Sequence, residues 1–246
     1  MKIVSVPVAD STNSFIRALK PFPAENLIVY AVEQTAGRGQ RGNSWESEPG
    51  KNLTFSCLYY PENLPAAEQF LLSCAISLAI TDVLADMIPL SEGDVRIKWP
   101  NDIYVDDQKI CGILIENSLC GKFIEWSILG VGINVNQKLF LSDAPNPVSL
   151  SIISGKEYDL GTLLDRFASR MESRLGELGN PEAKGHIMEE YISRLWRFNQ
   201  WHTYELPDGE RFTGRITAVA PDGTLAIEDR SGALRRFLFK EVKFIL

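Results

Sequence analysis

Residues 27–33 (LIVYAVE) and 52–60 (NLTFSCLYY) are continuous apolar runs that read as buried strands, and a long polar, glycine-rich connection, 34–51, joins them. That connection contains Gly37-Arg38-Gly39-Gln40-Arg41-Gly42, a literal G-x-G-x-x-G directly after a strand. In a dinucleotide-binding fold such glycines run straight into a helix whose first turn meets the pyrophosphate. Here they are followed by NSWESEPGKN, which is turn material, so a doubly wound nucleotide fold is not expected. The segment reads instead as a flexible loop that offers guanidiniums and free backbone N–H groups to a polyanion. The plain alternative is a solvated surface loop. Trp45 beside it suits stacking on a flat heterocycle.

Around this loop the periods are mixed. Residues 66–88 have helical spacing, and the apolar stretch from Phe70 is interrupted by Ser73, Ser77, Thr81, Asp82 and Asp86, the pattern of a buried helix rather than a membrane span. Residues 95–99, 103–105 and 109–116 read as strands, the last two a hairpin over Asp106-Asp107-Gln108, and 123–135 as a strand pair or one long strand. Residues 159–178 and 181–200 read as amphipathic helices, the second with proline in its first turn. After Gln200, Pro-Asp-Gly turns at 207–209 and 221–223 and a Ser-Gly turn at 231–232 separate RFTGRITAV, TLAIED and LRRFLFKEVKFIL. Short strands between such turns predict a small all-β barrel. The expectation is an α+β chain divided near 198–203, into residues 1–200 and 201–246.

Charge and residue counts exclude several functions. The formal net charge is −7 and no basic run is present, so nucleic acid is not an expected partner. The start has neither a long apolar segment nor a small-residue cleavage site, so a cytoplasmic protein without a membrane partner is expected. Cys57, Cys74, Cys111 and Cys120 are scattered without a C-x-x-C pair and read as free thiols. His186 and His202 are the only histidines, and neither neighbours a ligand cluster. No protein metal site is expected, and Ser-His-Asp or Cys-His catalysis lacks its raw material. Chemistry must run on lysine, arginine and carboxylates.

Short motifs supply candidates. Lys98-Trp99-Pro100-Asn101-Asp102 ends a strand at an X-Pro step that fixes its exit, although a capping turn alone accounts for it as well. Lys109 precedes Ile110-Cys111-Gly112-Ile113-Leu114 and, taken alone, is a solvated lysine after a hairpin. Gly130-Val131-Gly132-Ile133-Asn134 puts two glycines in an apolar strand, which weakens it unless a ligand or another backbone comes close. Asp10-Ser11-Thr12-Asn13 is a good helix N-cap cluster.

In this order, DSTN (10–13), GRGQRGNSW (37–45), KWPND (98–102), K-x-x-G-I-L (109–114) and GVGINV (130–135) resemble the biotin protein ligases over about residues 1–200, and the β tail resembles that family's SH3-like C-terminal domain. The resemblance implies a class II synthetase-like mixed sheet with flanking helices. It implies an enzyme that joins biotin to ATP as biotinyl-5′-adenylate, with Mg²⁺, and passes biotin to a lysine of a biotin carboxyl carrier domain of the acetyl-CoA-carboxylase type. Nothing in the sequence corresponds to the DNA-binding domain that some members carry, and the resemblance admits a homodimer. By motif position, Ser11, Thr12, Asn13 and Gln34 would line the ureido end of biotin. Gly37, Arg38, Gly39 and Gln40 would close over the biotin chain, with Gly112 in the same site. Lys109 would sit beside the biotin carboxylate and the α-phosphate. Arg41, Trp45, Lys98, Asn101, Asp102 and Asn134 would serve ATP and the adenylate. Lys109, Arg38 and Asp102 would be catalytic, Asp102 by orienting or deprotonating the incoming lysine or by helping to hold Mg²⁺. The family pattern GRGRRGRxW has arginines where this chain has Gln40 and Asn43, two cations fewer at the phosphates. A loop that is mobile without ligand and ordered by the adenylate, over about 37–48, is the expectation. The competing readings are a lipoate–protein ligase and a non-enzymatic anion-binding module.

Overall fold

The computed structural model describes residues 1–19, 21–142 and 146–245, and its strands form two sheets. The first seven are β1 (Lys2–Ala9), β2 (Leu27–Gln34), β3 (Leu53–Tyr59), β4 (Val95–Lys98), β5 (Asp102–Val105), β6 (Gln108–Cys120) and β7 (Phe123–Ile133). They lie in the order β1-β2-β3-β7-β6-β5-β4. Only β1 and β2 run parallel, so the sheet is mixed. The helices are α1 (Thr12–Ala18), α2 (Phe70–Met87), α3 (Leu150–Ser154), α4 (Leu160–Glu177) and α5 (Pro181–Ser193).

Alternation along the strands gives the sheet two unlike faces. Ile28, Phe55, Cys57, Leu129 and Val131 join the main core with α2, α4 and α5. Leu27, Val29, Leu58 and Ile128 pack instead on Ile16 of α1. The short α1 leaves much of that second face free for a cleft. α2 is apolar nearly all round because the sheet, α4 and α5 enclose it; by length and composition alone it could cross a membrane. The cap foreseen at 10–13 forms, Ser11 accepting from the Ser14 N–H; the structure adds Asp159, which accepts from the Thr162 N–H, and Asn180, which accepts from the Glu182 N–H ahead of Pro181.

Several boundaries differ from the sequence expectation. α5 stops at Ser193 rather than continuing to 200, because Arg194 and Trp196 turn to hydrogen-bond Ile97 and because Arg197 and Asn199 are left-handed. Residues 66–88 divide into a 3-10 turn (Ala66–Glu68) and α2. The 105–108 hairpin turns on Asp106 and Asp107 alone, since Gln108 already pairs with Val105. Of the two readings of 123–135, the single long strand holds, and it ends at Ile133.

The C-terminal strands are β8 (Trp201–Glu205), β9 (Arg211–Val219), β10 (Leu225–Asp229), β11 (Leu234–Phe237) and β12 (Lys243–Phe244), antiparallel in the order β11-β10-β9-β8-β12. The last apolar run is thus two strands; Glu241 accepts from the Leu238 N–H, and Lys240 is left-handed at φ 72°. Tyr204, Ile216, Leu225 and Phe237 belong to the same core as α2 and α4, so the two sheets share one interior. All four cysteines are free; Cys57, Cys74 and Cys111 are buried and Cys120 is exposed.

Candidate active site

The period of two places Thr54, Ser56, Asp102, Gly112, Leu114, Glu116, Gly130 and Gly132 on the face opposite α2. Register then sets them in rows, Thr54–Gly132–Gly112–Asp102 and Ser56–Gly130–Leu114. The glycines leave bare backbone as the floor of a cavity of about 1190 Å³. What approaches them is this chain's own side chains. A Cβ at Gly130 would strike Asn13 Oδ1; one at Gly132 would lie 2.5 Å from Trp45 Cε2, and one at Gly112 2.9 Å from Trp45 Cζ3.

One end of the cleft is polar and tightly bonded. Gln34 Oε1 accepts from Thr12 N (2.8 Å) and Thr12 Oγ1 (3.2 Å). The buried Ser56 hydroxyl lies 2.6 Å from both Thr12 Oγ1 and Asn13 Oδ1. Asn13 Nδ2 donates to Glu116 Oε2 (2.9 Å) and Leu114 O (3.4 Å), so its amide is fully engaged and acts as a strut of the wall. Glu116 also ion-pairs with Arg17 (2.5 Å) and Arg38 (3.2 Å). Burial pushes the Glu116 carboxyl up, but the Asn13 amide and the two guanidiniums outweigh it, and it ends below its ordinary value. Sequence reasoning missed Ser56 and Glu116. Their signal was strand parity with the glycines, which becomes readable only once the register is known.

The glycine–arginine loop crosses the cleft as a 3-10 turn, Gln40–Gly42, closed by Gly39 N to Asn43 O (2.7 Å) and Trp45 N to Gly37 O (2.9 Å). Arg38, Gly39 and Gln40 are on the cavity wall; Gly37 is not, and a Cβ there would strike the Trp45 carbonyl oxygen. The Arg41 side chain lies outside the described residues. Trp45 Nε1 is buried without a partner, and Lys109 Nζ is 5.7 Å from the Trp45 ring centre. Glu46 ties the loop to residues 137–142 by accepting from the Leu141 and Ser142 N–H groups and from Gln137 Nε2.

At mid-cleft, Lys109 Nζ and Asp102 Oδ2 are 2.8 Å apart, brought together by the β5–β6 pairing that sets Asp102 opposite Gly112. Lys98 Nζ lies 5.1 Å from the Tyr104 ring centre and 5.4 Å from that of Phe244. Burial lowers the Lys98 pKa, with Asp102 pulling it back up and Lys109 and Arg197 pushing it further down. Asn101 donates to Ile113 O (2.7 Å); Asn134 donates to Val148 O (3.0 Å) and leaves its Oδ1 buried and unpartnered. Ser11, Thr12, Asn13, Gln34, Lys98, Asn101, Asp102, Lys109, Gly112 and Asn134 therefore line one cavity. Among the described residues no group of three or more His, Cys, Asp or Glu could hold a metal ion.

Residues 5–134 match the biotin/lipoate A/B protein ligase family, and the chain belongs to that family. Within it, the chain is 32% identical over 240 residues to the biotin–[acetyl-CoA-carboxylase] ligase of Paracoccus denitrificans, covering 92% of this chain and 90% of that one. It is 28% identical over 220 residues to the enzyme of the same name from Mycobacterium tuberculosis, covering 89% and 80%. Its fold is that of the biotin protein ligase from Aquifex aeolicus solved with biotin and ATP, with a TM-score of 0.78 and 24% identity over 99% of each chain.

Proposed function

We propose that the chain is a biotin–[biotin carboxyl-carrier protein] ligase. It activates biotin as biotinyl-5′-AMP and transfers it to a carrier lysine of the acetyl-CoA-carboxylase type. In the first step a biotin carboxylate oxygen attacks the α-phosphorus of ATP as the bond to pyrophosphate breaks. In the second, the lysine amine attacks the acyl carbon and AMP leaves. Neither step needs a protein nucleophile, in keeping with the dearth of histidine. The observation that carries the reading is the Lys109–Asp102 pair beside a glycine floor, in one cavity with Thr12, Gln34, Trp45 and Asn134.

The residue roles follow from chemistry. Lys109 places one cation where a carboxylate and a phosphate must meet, and stabilises the charge that builds on the phosphoryl oxygens. Thr12 and Gln34 supply the ureido ring with donors and acceptors, and Arg38 swings from Glu116 to the ligand anions. The unpartnered Asn134 Oδ1 suits the exocyclic amine of adenine, with Trp45 alongside for stacking. Mg²⁺ enters with ATP as substrate. It takes one or two carboxylates plus phosphate oxygens, and Asp102 fits that need, since Glu46 is already spent on N–H donors. Asp102 anchors Lys109 and, at transfer, accepts the proton of the incoming lysine. Residues 201–246 form an SH3-like unit, and the free thiols of a cytoplasmic enzyme are in keeping with all four cysteines unpaired.

Labelled biotin or lipoate, ATP and Mg²⁺ with the purified chain test this. Pyrophosphate release dependent on biotin is expected; release with lipoate alone, or none, overturns it.

A further inference from the structure

The C-terminal sheet forms one end of the cleft. Phe239 stands against the Trp99 ring at 6.2 Å, Phe244 lies beside Lys98 Nζ, and Lys240 and Lys243 line the same cavity as Lys109 and Asp102. From β3 towards β4 the sequence of features is Ser56 and Asn13, then Trp45, then Lys109 with Asp102, then Lys98 and the tail. The tail is therefore at the end opposite Thr12 and Gln34. A biotin held there, with its carboxylate at Lys109, directs the departing pyrophosphate towards the tail.

Among the described side chains, the other cations that line the cleft already have partners. Lys109 is on Asp102, Arg38 is on Glu116, and Lys98 sits over two rings. Lys240 has no ion-pair or ring partner among the described residues, and Lys243 has a loose one, Glu205 at 3.6 Å, with its side chain 73% exposed. Polyphosphate needs concentrated positive charge, and Gln40 and Asn43 do not supply it. We infer that Lys240 and Lys243 are a phosphate-binding pair, contributed by the C-terminal sheet, that holds the β- and γ-phosphates of ATP and receives the leaving pyrophosphate. This rests on the adenylation reading above.

The test is biotin-dependent ATP–pyrophosphate exchange by the full chain and its Lys240→Gln, Lys243→Gln and double variants, at several salt concentrations. The KM values for ATP and pyrophosphate should rise about fivefold per substitution, the scale of one exposed ionic contact. Their salt dependence should flatten in the double variant, the KM for biotin and the Tm should stay as in the wild type, and Lys240→Arg should retain wild-type behaviour. Unchanged KM values for ATP and pyrophosphate in the double variant overturn the inference alone, as does an equal rise in the KM for biotin. A wild-type chain without biotin-dependent exchange overturns the adenylation reading and this inference with it.

Discussion

The indole N–H of Trp99 donates to the Gly223 carbonyl at 2.9 Å, which fastens the 98–102 motif of the cleft to the second Pro-Asp-Gly turn of the tail. Gly223 is left-handed at φ 91°, and a Cβ there would lie 2.7 Å from the Phe70 ring at the head of α2. Gly223→Ala should destabilise the chain by about 1–3 kcal/mol, combining backbone strain with overpacking. Gly209→Ala is the control, since Gly209 has φ 91° but nothing within 4 Å. Equal urea midpoints for the two variants would show that the turn does not bear on α2.

Lys109→Ala should slow adenylate formation about 100-fold or more, the scale of removing one preorganised electrostatic donor at a reacting centre. Pyrophosphate exchange at near wild-type rate would remove Lys109 from the chemistry. Asp102→Asn should keep biotin binding but slow transfer to carrier more than exchange, measured as the ratio of the two rates.

Most elements were legible because their signals are local: apolar runs for β2 and β3, helical spacing for α4 and Pro181 for the start of α5, and Pro-Asp-Gly for the tail turns. α3 (LSIIS) was not, being too short for a period to register. β6 outruns its apolar stretch, 109–116, because pairing with β7 carries the polar Asn117 and Ser118 along. The cleft residues were legible as ordered motifs. Ser56, Glu116, Lys240 and Lys243 were not, since strand register and the docking of the tail bring them to the site.

Glu116→Ala should lower biotin affinity about tenfold by orphaning the Asn13 amide, whereas Glu116→Gln, which keeps an acceptor, should stay within about threefold. The folded state holds the Glu116 carboxyl below its ordinary 4.5. A depressed carboxyl contributes stability above that ordinary value and loses it as pH falls through the folded one. Wild-type biotin binding should therefore survive as pH falls from 7 past the ordinary carboxylate value and be lost only as pH passes through the lower value of the folded state. Equal acid sensitivity of wild type and Glu116→Gln, by calorimetry, would place the titrating group elsewhere.

The loop bearing Gly37, Gly39 and Gly42 loses about 1–2 kcal/mol of backbone entropy per residue fixed, so ligand contacts must hold it closed. Amide exchange across 37–48 should slow on adding biotin and ATP, Gln40→Arg should reduce free adenylate in the medium, and Arg38→Ala should increase it. Equal protection with and without ligand would mean a prebuilt loop.

Trp45→Ala should raise the KM for ATP about tenfold through lost stacking, a contribution of about 1–1.5 kcal/mol, with little change for biotin. Parallel rises for both substrates would make Trp45 a general wedge of the cleft.

The bare floor at Gly112, Gly130 and Gly132 has a consequence for how this gene can drift. None of the three carries a side chain that could touch a substrate, yet each faces a side chain that an added methyl would displace: Trp45 twice and Asn13 once. In a saturation screen for biotin-dependent growth, these three positions should tolerate alanine less well than many buried leucines tolerate valine. The most constrained letters of the cleft are then the ones that contribute no functional group at all.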